Sequence, residues 1–430
     1  MNHELVIEGN VYFNDRFEQC CIGIDDGKVT EIKKILKGKK TKRFSKQLIL
    51  PAGIDVHVHF RDPGMKHKET FETGSKAALF GGISTVFDMP NTFPPTTTLA
   101  RLKEKNEYAK HHSFVDFGLY AGVTPKNISV LPSFSSWCSG YKVFLGDTTG
   151  SFALDSHILP QVFDQIKKTK KPVFFHAEDN TCLKRQHTIE HNPIDHHRHR
   201  SADCEEQAIQ MIMEQSKNTQ IPIHICHLST QQGLSLLQQR PNHMTCGVTP
   251  HHLLLSLDRI KQPASWYKVN PPIRPKEHSI ALFQATKQDG IDILESDHAP
   301  HTLEEKQQSF DEAPSGIPGV ETMIPLFLSL VKKQYLSFQT LLRMICKNPA
   351  SLLYLPKGAI QVGNDADFMI VDLRNEKRLN INHLHSKTKW SPFEGRPVIF
   401  PSHVFIRGKQ MIKESELSLS KPVGKSVINE

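Results

Sequence analysis

The chain has 430 residues, of which 38% are hydrophobic and 23% are charged, with a mean hydropathy of −0.39. These values, with 24 Gly and 27 Pro, are typical of a globular protein and exclude a fibrous, collagen-like or disordered chain. No uncharged apolar run approaches the ~18 residues of a bilayer span, and the start MNHELVIEGN has no signal-peptide pattern. We therefore expect a cytoplasmic protein without membrane association.

The formal net charge of +8 comes from one segment. Residues 33–46, KKILKGKKTKRFSK, contain eight Lys and Arg and no acid, and the rest of the chain has 45 basic and 45 acidic residues. A nucleic-acid surface spreads its charge over a face, so we interpret this segment as a solvated surface turn and expect no nucleic-acid partner. The eight Cys form no C-x-x-C pair, and a chain of this length needs no disulfides, so we expect reduced thiols.

Short apolar or β-branched runs alternate with helical patterns through the middle of the chain. The strand-like runs are, in order, GIDVHVHF, ISTVFDMP, VDFGLYAGV, YKVFLG, PVFFHAED, PIHICHLS, MTCGVTP and DILESDHAP. Most precede a helical pattern, and the connections after the third and seventh runs are irregular. Strands that alternate with helices predict parallel βαβ units, and eight of them within about 300 residues predict one closed (β/α)8 TIM-type barrel.

The two ends of the chain show strand-like alternation instead. Residues 4–32 contain turn signals such as Asp25-Asp26-Gly27, and alternation returns from residue 358 in GAIQVGNDADFMIVDL and HVFIRGKQMI. We therefore predict a small β-sandwich domain formed by both termini, residues 1–50 plus 356–430, with the barrel at 51–355 inserted between them. The basic segment is then the crossing between the two domains.

Candidate metal ligands stand at the ends of the predicted barrel strands. In GIDVHVHF, period-two alternation puts His57 and His59 on one face, where two imidazoles can bind one ion. His176, His227 and Asp297 each end a later strand. Because the active sites of such barrels lie at the C-terminal ends of the strands, these five side chains are expected to converge on one mouth.

Lys142, in YKVFLGDTTG, lies on the strand face opposite Tyr141 and Val143, so its amine would point into the barrel. An ammonium beside a divalent ion is repelled, whereas a neutral amine can take up carbon dioxide and offer two carbamate oxygens to two ions. The alternative is a lysine that reaches solvent or pairs with an acid, and this residue alone leaves both interpretations open.

Other histidines are interpreted as structural. The H-x-H pairs at 197/199 and 383/385 lie in polar loops, and residues 187–200, HTIEHNPIDHHRHR, are expected to form an exposed loop. His251 and His252, in TPHHLLL, are expected to support the site rather than to bind metal.

A set of motifs in a fixed order resembles the dihydroorotase family of the cyclic amidohydrolase superfamily. The motifs are FRDPG after D-x-H-x-H, GGISTVFDMPNTFPPT, YKVFLG, FFHAED, HICHLS, TPHHLLL, KVNPPIRP and SDHAPHTLEEK. They span residues 51 to about 320, and the terminal NDADFMIVDL and SPFEGRPV resemble the small β-sandwich of the superfamily.

The resemblance implies a metal-dependent enzyme with two Zn²⁺ ions. The implied ligands are His57, His59 and Asp297 for the first ion, His176 and His227 for the second, and N6-carboxylated Lys142 as the bridge. A hydroxide shared by the ions would be the nucleophile, and Asp297 would act as general base and then acid. The implied reaction is the reversible cyclisation of N-carbamoyl-L-aspartate to L-dihydroorotate and water in de novo pyrimidine (UMP) biosynthesis.

The resemblance also implies four substrate contacts. Arg61, in FRDPG, is similar to the arginine that binds the substrate carboxylate through two nitrogens, a geometry that lysine cannot supply. Asn91 in MPNT resembles its partner amide, and Asn270 and His301 resemble further contacts. The segment GDTTGSFALD departs from the more usual GSSTG-like pattern, so no role is assigned to loop 147–155.

Three alternatives stay open at this point. A hydantoinase or allantoinase would use the same metal chemistry, but a substrate without a carboxylate would leave Arg61 unpaired. A non-catalytic dihydroorotase-like scaffold typically loses ligands, whereas all six are present here. A nucleic-acid-binding protein would work through residues 33–46. Family members are commonly dimers or larger, so a homodimer is the default expectation.

Overall fold

A computed structural model describes residues 2–147, 152–186 and 189–428. In this part of the chain, eight parallel strands form one sheet in sequential order. Barrel strands 1 to 8 are Gly53–Val58, Ile83–Asp88, Asp116–Gly122, Gly140–Phe144, Val173–His176, Ile223–Ile225, Met244–Val248 and Ile293–Leu294. The His59 backbone N–H donates to the His298 carbonyl at 2.8 Å, which brings the chain after strand 8 back to the end of strand 1. The predicted (β/α)8 barrel is confirmed.

Helices follow most barrel strands, and Thr, Asp, Asn or Ser side chains cap the first turn of several of them. The α-helices of the described residues are Phe71–Phe80, Leu99–His112, Leu159–Ile166, Asn180–Arg185, Pro193–His199, Ala202–Ser216, Gln231–Leu237, Pro250–Leu254, Lys276–Lys287, Leu303–Lys306, Met323–Lys332, Phe338–Leu342 and Asn348–Leu352. Strand 3 leads into the 3-10 helix Ile128–Phe134, and strand 7 reaches helix Lys276–Lys287 only after two further 3-10 turns. Both connections are irregular, as predicted. None of the described helices is long and apolar enough to cross a bilayer.

A second sheet is built from both ends of the chain. Its strands are, in sheet order, Glu416–Leu417, Lys409–Lys413, His403–Ile406, Phe368–Val371, Thr41–Pro51, Leu5–Phe13, Arg16–Asp25 and Lys28–Lys33. Strand Thr41–Pro51 joins the two ends, because it pairs in parallel with Leu5–Phe13 and antiparallel with Phe368–Val371. The predicted β unit from both termini is confirmed, and we propose 1–50 plus 356–430 as its boundaries.

The basic segment is only in part the surface turn that its charge predicted. Residues 34–40 lie mostly outside strands and are exposed or half-buried. Its second half opens strand Thr41–Pro51, which lies inside the terminal sheet with a partner on each side. Phe44 is buried there, whereas Arg43 and Lys46 are exposed. The prediction is wrong for this second half, because a strand can expose charged residues and still bury the apolar one between them.

The expectation of reduced thiols is wrong for one pair. Cys182, in helix Asn180–Arg185, and Cys204, in helix Ala202–Ser216, form a disulfide with their Cα atoms 5.3 Å apart. The remaining cysteines are buried and form no disulfide. The partners are separated by 22 positions in the sequence with no local signal, and only the packing of the two helices brings the thiols together.

The predicted exposed loop 187–200 is also different in the structure, in which residues 187 and 188 lie outside the described part. Residues Pro193–His199 form a helix that is capped by Asn192. His196 is buried against the Val269 carbonyl, and Arg200 is buried as well. This segment therefore packs onto the barrel mouth.

Candidate active site

The first group of predicted ligands meets where barrel strands 1 and 8 end. His57 Nε2 lies 3.3 Å and His59 Nε2 3.1 Å from the same oxygen, Oδ1 of Asp297. The pairing of strand 1 with strand 2 shifts register between Asp55 and Val58. Such an irregularity re-aims side chains, and both imidazoles still face the carboxylate of Asp297.

The second group lies on strands 4 and 5 and just beyond the end of strand 6. His176 Nδ1 faces His227 Nε2 at 3.1 Å, and the His227 ring centre is 5.2 Å from that of His57. The Lys142 side chain is fully buried inside the barrel, where its Nζ donates to Cys226 Sγ at 3.1 Å. The structure thus brings all six predicted ligands together.

The backbone at this mouth is strained at three of the predicted site residues. Arg61, His227 and Asp297 have φ angles of 60°, 38° and 43°. Left-handed backbone costs of order 1–3 kcal/mol at a residue other than Gly, and it persists where the surrounding structure holds a side chain in a required direction. The three residues lie on different segments and turn their side chains toward one pocket.

Burial holds three histidines of the site neutral. Burial lowers the pKa of His59 to about 3 and also lowers those of His176 and His227. Burial alone would raise the pKa of Asp297, but the neighbouring imidazoles of His57 and His59 hold it below its usual range. The imidazoles of His59, His176 and His227 therefore offer lone pairs and the carboxyl offers an anion at neutral pH, as metal binding requires.

This donor set fits a metal cofactor. The ligand atoms of His57, His59 and Asp297 lie within 4.8 Å of one another, and all three side chains are buried. The facing nitrogens of His176 and His227 form a second convergent pair beside them. Imidazole nitrogen and carboxylate oxygen are the ligands that zinc and similar transition ions take in proteins.

Arg61 lies at the edge of this metal-binding group. Its side chain is 3% exposed, and its Nε donates to the Pro300 carbonyl at 3.3 Å. Burial lowers the pKa of Arg61 to about 10, so the guanidinium is still charged at neutral pH. Among the described residues it forms no ion pair with a carboxylate. A buried cation of this kind is suited to an anionic ligand.

His301 stands behind Arg61, with its Nε2 3.2 Å from Arg61 Nη2. The Lys68 ammonium lies 3.1 Å from His301 Nδ1 on the other side of the ring. The Ser315 carbonyl lies 3.0 Å from His301 Nε2. Burial lowers the pKa of His301 to about 3, so the ring stays neutral.

The remaining predicted contacts lie in the same pocket. Asn91 Oδ1 accepts a hydrogen bond from His59 Nδ1 at 2.7 Å, which orients that ring, and Asn270 lines the pocket nearby. Eight of the ten predicted site residues line this pocket, and Lys142 and His301 lie directly behind its wall.

Glu295 belongs to the site and was missed from the sequence. Its fully buried carboxylate lies 3.5 Å from His57 Nδ1 and 3.4 Å from His224 Nε2. A Cβ atom at Gly247 would come within 2.5 Å of Glu295 Oε1, so glycine leaves the space that this carboxylate occupies. The available signal was the alternation along strand 8, which puts Glu295 on the same face as Asp297.

The fold and the pocket define a hydrolase of the amidohydrolase class. The profile of the Amidohydrolase family matches residues 48–411. A dihydroorotase of Methanosarcina acetivorans is 37% identical over 434 residues, with 96% of this chain and 92% of the relative covered. A dihydroorotase of Thermoplasma acidophilum is 40% identical, with 97% and 96% covered. The chain belongs to the amidohydrolase family, and within it to the dihydroorotases.

Solved structures show the same architecture. The L-hydantoinase (dihydropyrimidinase) of Arthrobacter aurescens superimposes with a TM-score of 0.94 at 29% identity, covering 99% of both chains. A D-hydantoinase of Thermus sp. gives a TM-score of 0.89 at 24% identity and supports the fold. The chain is therefore a metal-dependent cyclic amidohydrolase that acts on a small molecule.

Proposed function

We propose that this chain interconverts N-carbamoyl-L-aspartate and L-dihydroorotate, in de novo pyrimidine (UMP) biosynthesis. The observation that carries the proposal is the buried, unneutralised guanidinium of Arg61 beside a convergent metal-binding group. The six-membered ring of dihydroorotate bears a carboxylate, which would pair with this cation while the adjacent amide bond lies at the ligands.

The proposed cofactor is a pair of zinc ions bridged by N6-carboxylated Lys142. The ligands would be His57, His59 and Asp297 for one ion and His176 with His227 for the other. When bound, the ions would activate a water molecule and polarise the carbonyl of the scissile amide. The convergence of the imidazoles and the inward direction of Lys142 support this assignment.

The chain's own groups would bind the substrate and move the proton. Asp297 has its pKa held low, so it is ionised and can accept a proton from the attacking water and pass it to the amide nitrogen. Arg61 would hold the carboxylate through both terminal nitrogens, and His301 would support the Arg61 side chain from behind. Asn91 and Asn270 would complete the pocket.

Hydrolysis of dihydroorotate, followed by its ultraviolet absorbance, tests this proposal directly. Hydantoin and allantoin are assayed in parallel, and the metal content is measured on the same sample. We expect turnover of dihydroorotate that far exceeds turnover of the two rings without a carboxylate. A metal-loaded protein that hydrolyses hydantoin well and leaves dihydroorotate untouched would show that the substrate assignment is wrong.

Hydantoin hydrolysis is the second candidate function, because the superimposed L-hydantoinase shares the fold over the whole chain. A ring without a carboxylate would leave the buried cation of Arg61 unpaired, at a cost of about 1–3 kcal/mol or more. We therefore place this activity second. A purely structural role is less favoured still, since each side chain of the proposed ligand set is present and buried.

A further inference from the structure

His176 is part of a chain of hydrogen bonds that leads away from the pocket. Its Nε2 lies 2.7 Å from Oε2 of Glu178, whose side chain is fully buried. An ionised carboxylate only accepts, so the imidazole proton must sit on Nε2. The lone pair of His176 is then on Nδ1, the atom that faces His227 Nε2.

Arg200 holds the carboxylate of Glu178 in place. Its Nε lies 3.1 Å from each carboxylate oxygen, and its Nη2 lies 2.6 Å from Oε2. The same Nη2 donates to the Asp147 carbonyl at 2.8 Å, just beyond strand 4. With three hydrogen bonds from a planar group, the carboxylate of Glu178 has one orientation.

The contact between Glu178 and Arg200 joins two segments that are not adjacent in the sequence. Glu178 follows strand 5, and Arg200 ends the His-rich segment whose helix Pro193–His199 packs onto the barrel mouth. Neither residue belongs to the proposed ligand set, and neither lines the pocket. Burying an ion pair costs desolvation energy, and removing one partner leaves an uncompensated buried charge. The placement of such a pair directly behind His176 therefore indicates a role for it there.

We propose that Glu178 and Arg200 are positioning residues for the ion held by His176 and His227. Glu178 fixes the tautomer and direction of the His176 ring, and Arg200 fixes Glu178. Carboxylates that hold metal-ligating histidines in this way typically contribute about 10–100-fold to metal affinity. The inference rests on the proposed metal site, and it adds that the His-rich segment controls one ion and not the other.

Zinc retention tests the proposal without relying on turnover. The protein is loaded with Zn²⁺ and titrated with a chelator such as dipicolinate, and the zinc content per chain is measured. For Glu178→Gln and for Arg200→Met, we expect one ion to leave at a chelator concentration about 10–100-fold lower than in the wild type. The other ion should leave at the wild-type concentration.

Glu190→Gln is the matched control. Glu190 lies in the same segment and pairs with His196 and His199, but it has no contact with His176. It should keep the wild-type zinc profile. If Glu190→Gln releases zinc as readily as Glu178→Gln, the effect belongs to packing of the segment, and the proposal is wrong. It is equally wrong if both ions leave together or if the Glu178→Gln profile matches the wild type.

The double variant Glu178→Gln/Arg200→Met tests whether Arg200 acts on zinc binding through Glu178 or independently of it. If Arg200 acts through Glu178, the double variant should lose zinc no more readily than Glu178→Gln alone. If the zinc losses of the two single variants add in the double variant, Arg200 does not act through Glu178. A wild type that retains two ions but does not hydrolyse dihydroorotate would contradict the proposed function only, whereas a wild type that holds fewer than two ions would contradict both proposals.

Discussion

Replacement of Arg61 by Ala separates substrate binding from metal binding. The guanidinium is buried, stays charged, and touches only a carbonyl and a neutral imidazole, so a substrate carboxylate would be its first anionic partner. Each hydrogen bond between charged groups contributes about 1.5–3 kcal/mol, and a forked pair therefore about 3–6 kcal/mol. At 1.36 kcal/mol per factor of ten, kcat/KM for dihydroorotate should fall by about 10²–10⁴.

The assay measures kcat/KM for dihydroorotate and hydantoin, with zinc content determined on the same Arg61→Ala preparation. Zinc should stay at the wild-type level, because Arg61 is not among the ligand-type residues, and hydantoin turnover should change little. Arg61→Lys should recover only part of the loss, since an ammonium cannot form the fork. Undiminished kcat/KM for dihydroorotate in Arg61→Ala would refute the assignment of this residue to the carboxylate.

Three further predictions concern the metal site and the terminal sheet. Lys142→Ala should remove most of the bound metal and nearly all turnover, measured by metal analysis and the dihydroorotate assay. Gly247→Ala should lower the free energy of unfolding by about 1–3 kcal/mol, because the new Cβ overlaps Glu295, and urea unfolding measures this loss. His3→Gln should destabilise the protein more at pH 6 than at pH 9, because hydrogen bonding to Asp25 raises the pKa of His3 in the folded state. The free energy that protonated His3 adds to folding is complete below about pH 6.5 and is lost as the pH rises through the pKa of His3 in the folded state.

Each of these three predictions has a matched control variant. Cys226→Ala removes the neighbour of Lys142 and should leave the metal bound, so equal metal loss would attribute the lysine effect to repacking. Gly290→Ala meets its first atom at 3.3 Å and should cost much less than Gly247→Ala. His111→Gln alters an exposed histidine, and a pH trend as large as that of His3→Gln would count against the ion pair of His3 with Asp25.

The barrel and the candidate ligands could be predicted from the sequence because their signals are local. Each strand is a short apolar run, and each ligand stands at the end of one, so the parallel order of the strands carries His57, His176 and Asp297 to the same mouth. The direction of Lys142 followed from period-two alternation. Turn signals at both ends indicated the second sheet in the same way.

Contacts between distant segments had to come from the tertiary structure. The pairing of Cys182 with Cys204 and the reach of Arg200 to Glu178 depend on how helices pack beside strand 5, and no spacing in the sequence encodes that packing. The space for Glu295 depends on a missing side chain at Gly247, on the neighbouring strand. Periodicity determines which way a residue faces along its own element, whereas three-dimensional packing determines which residue it meets there.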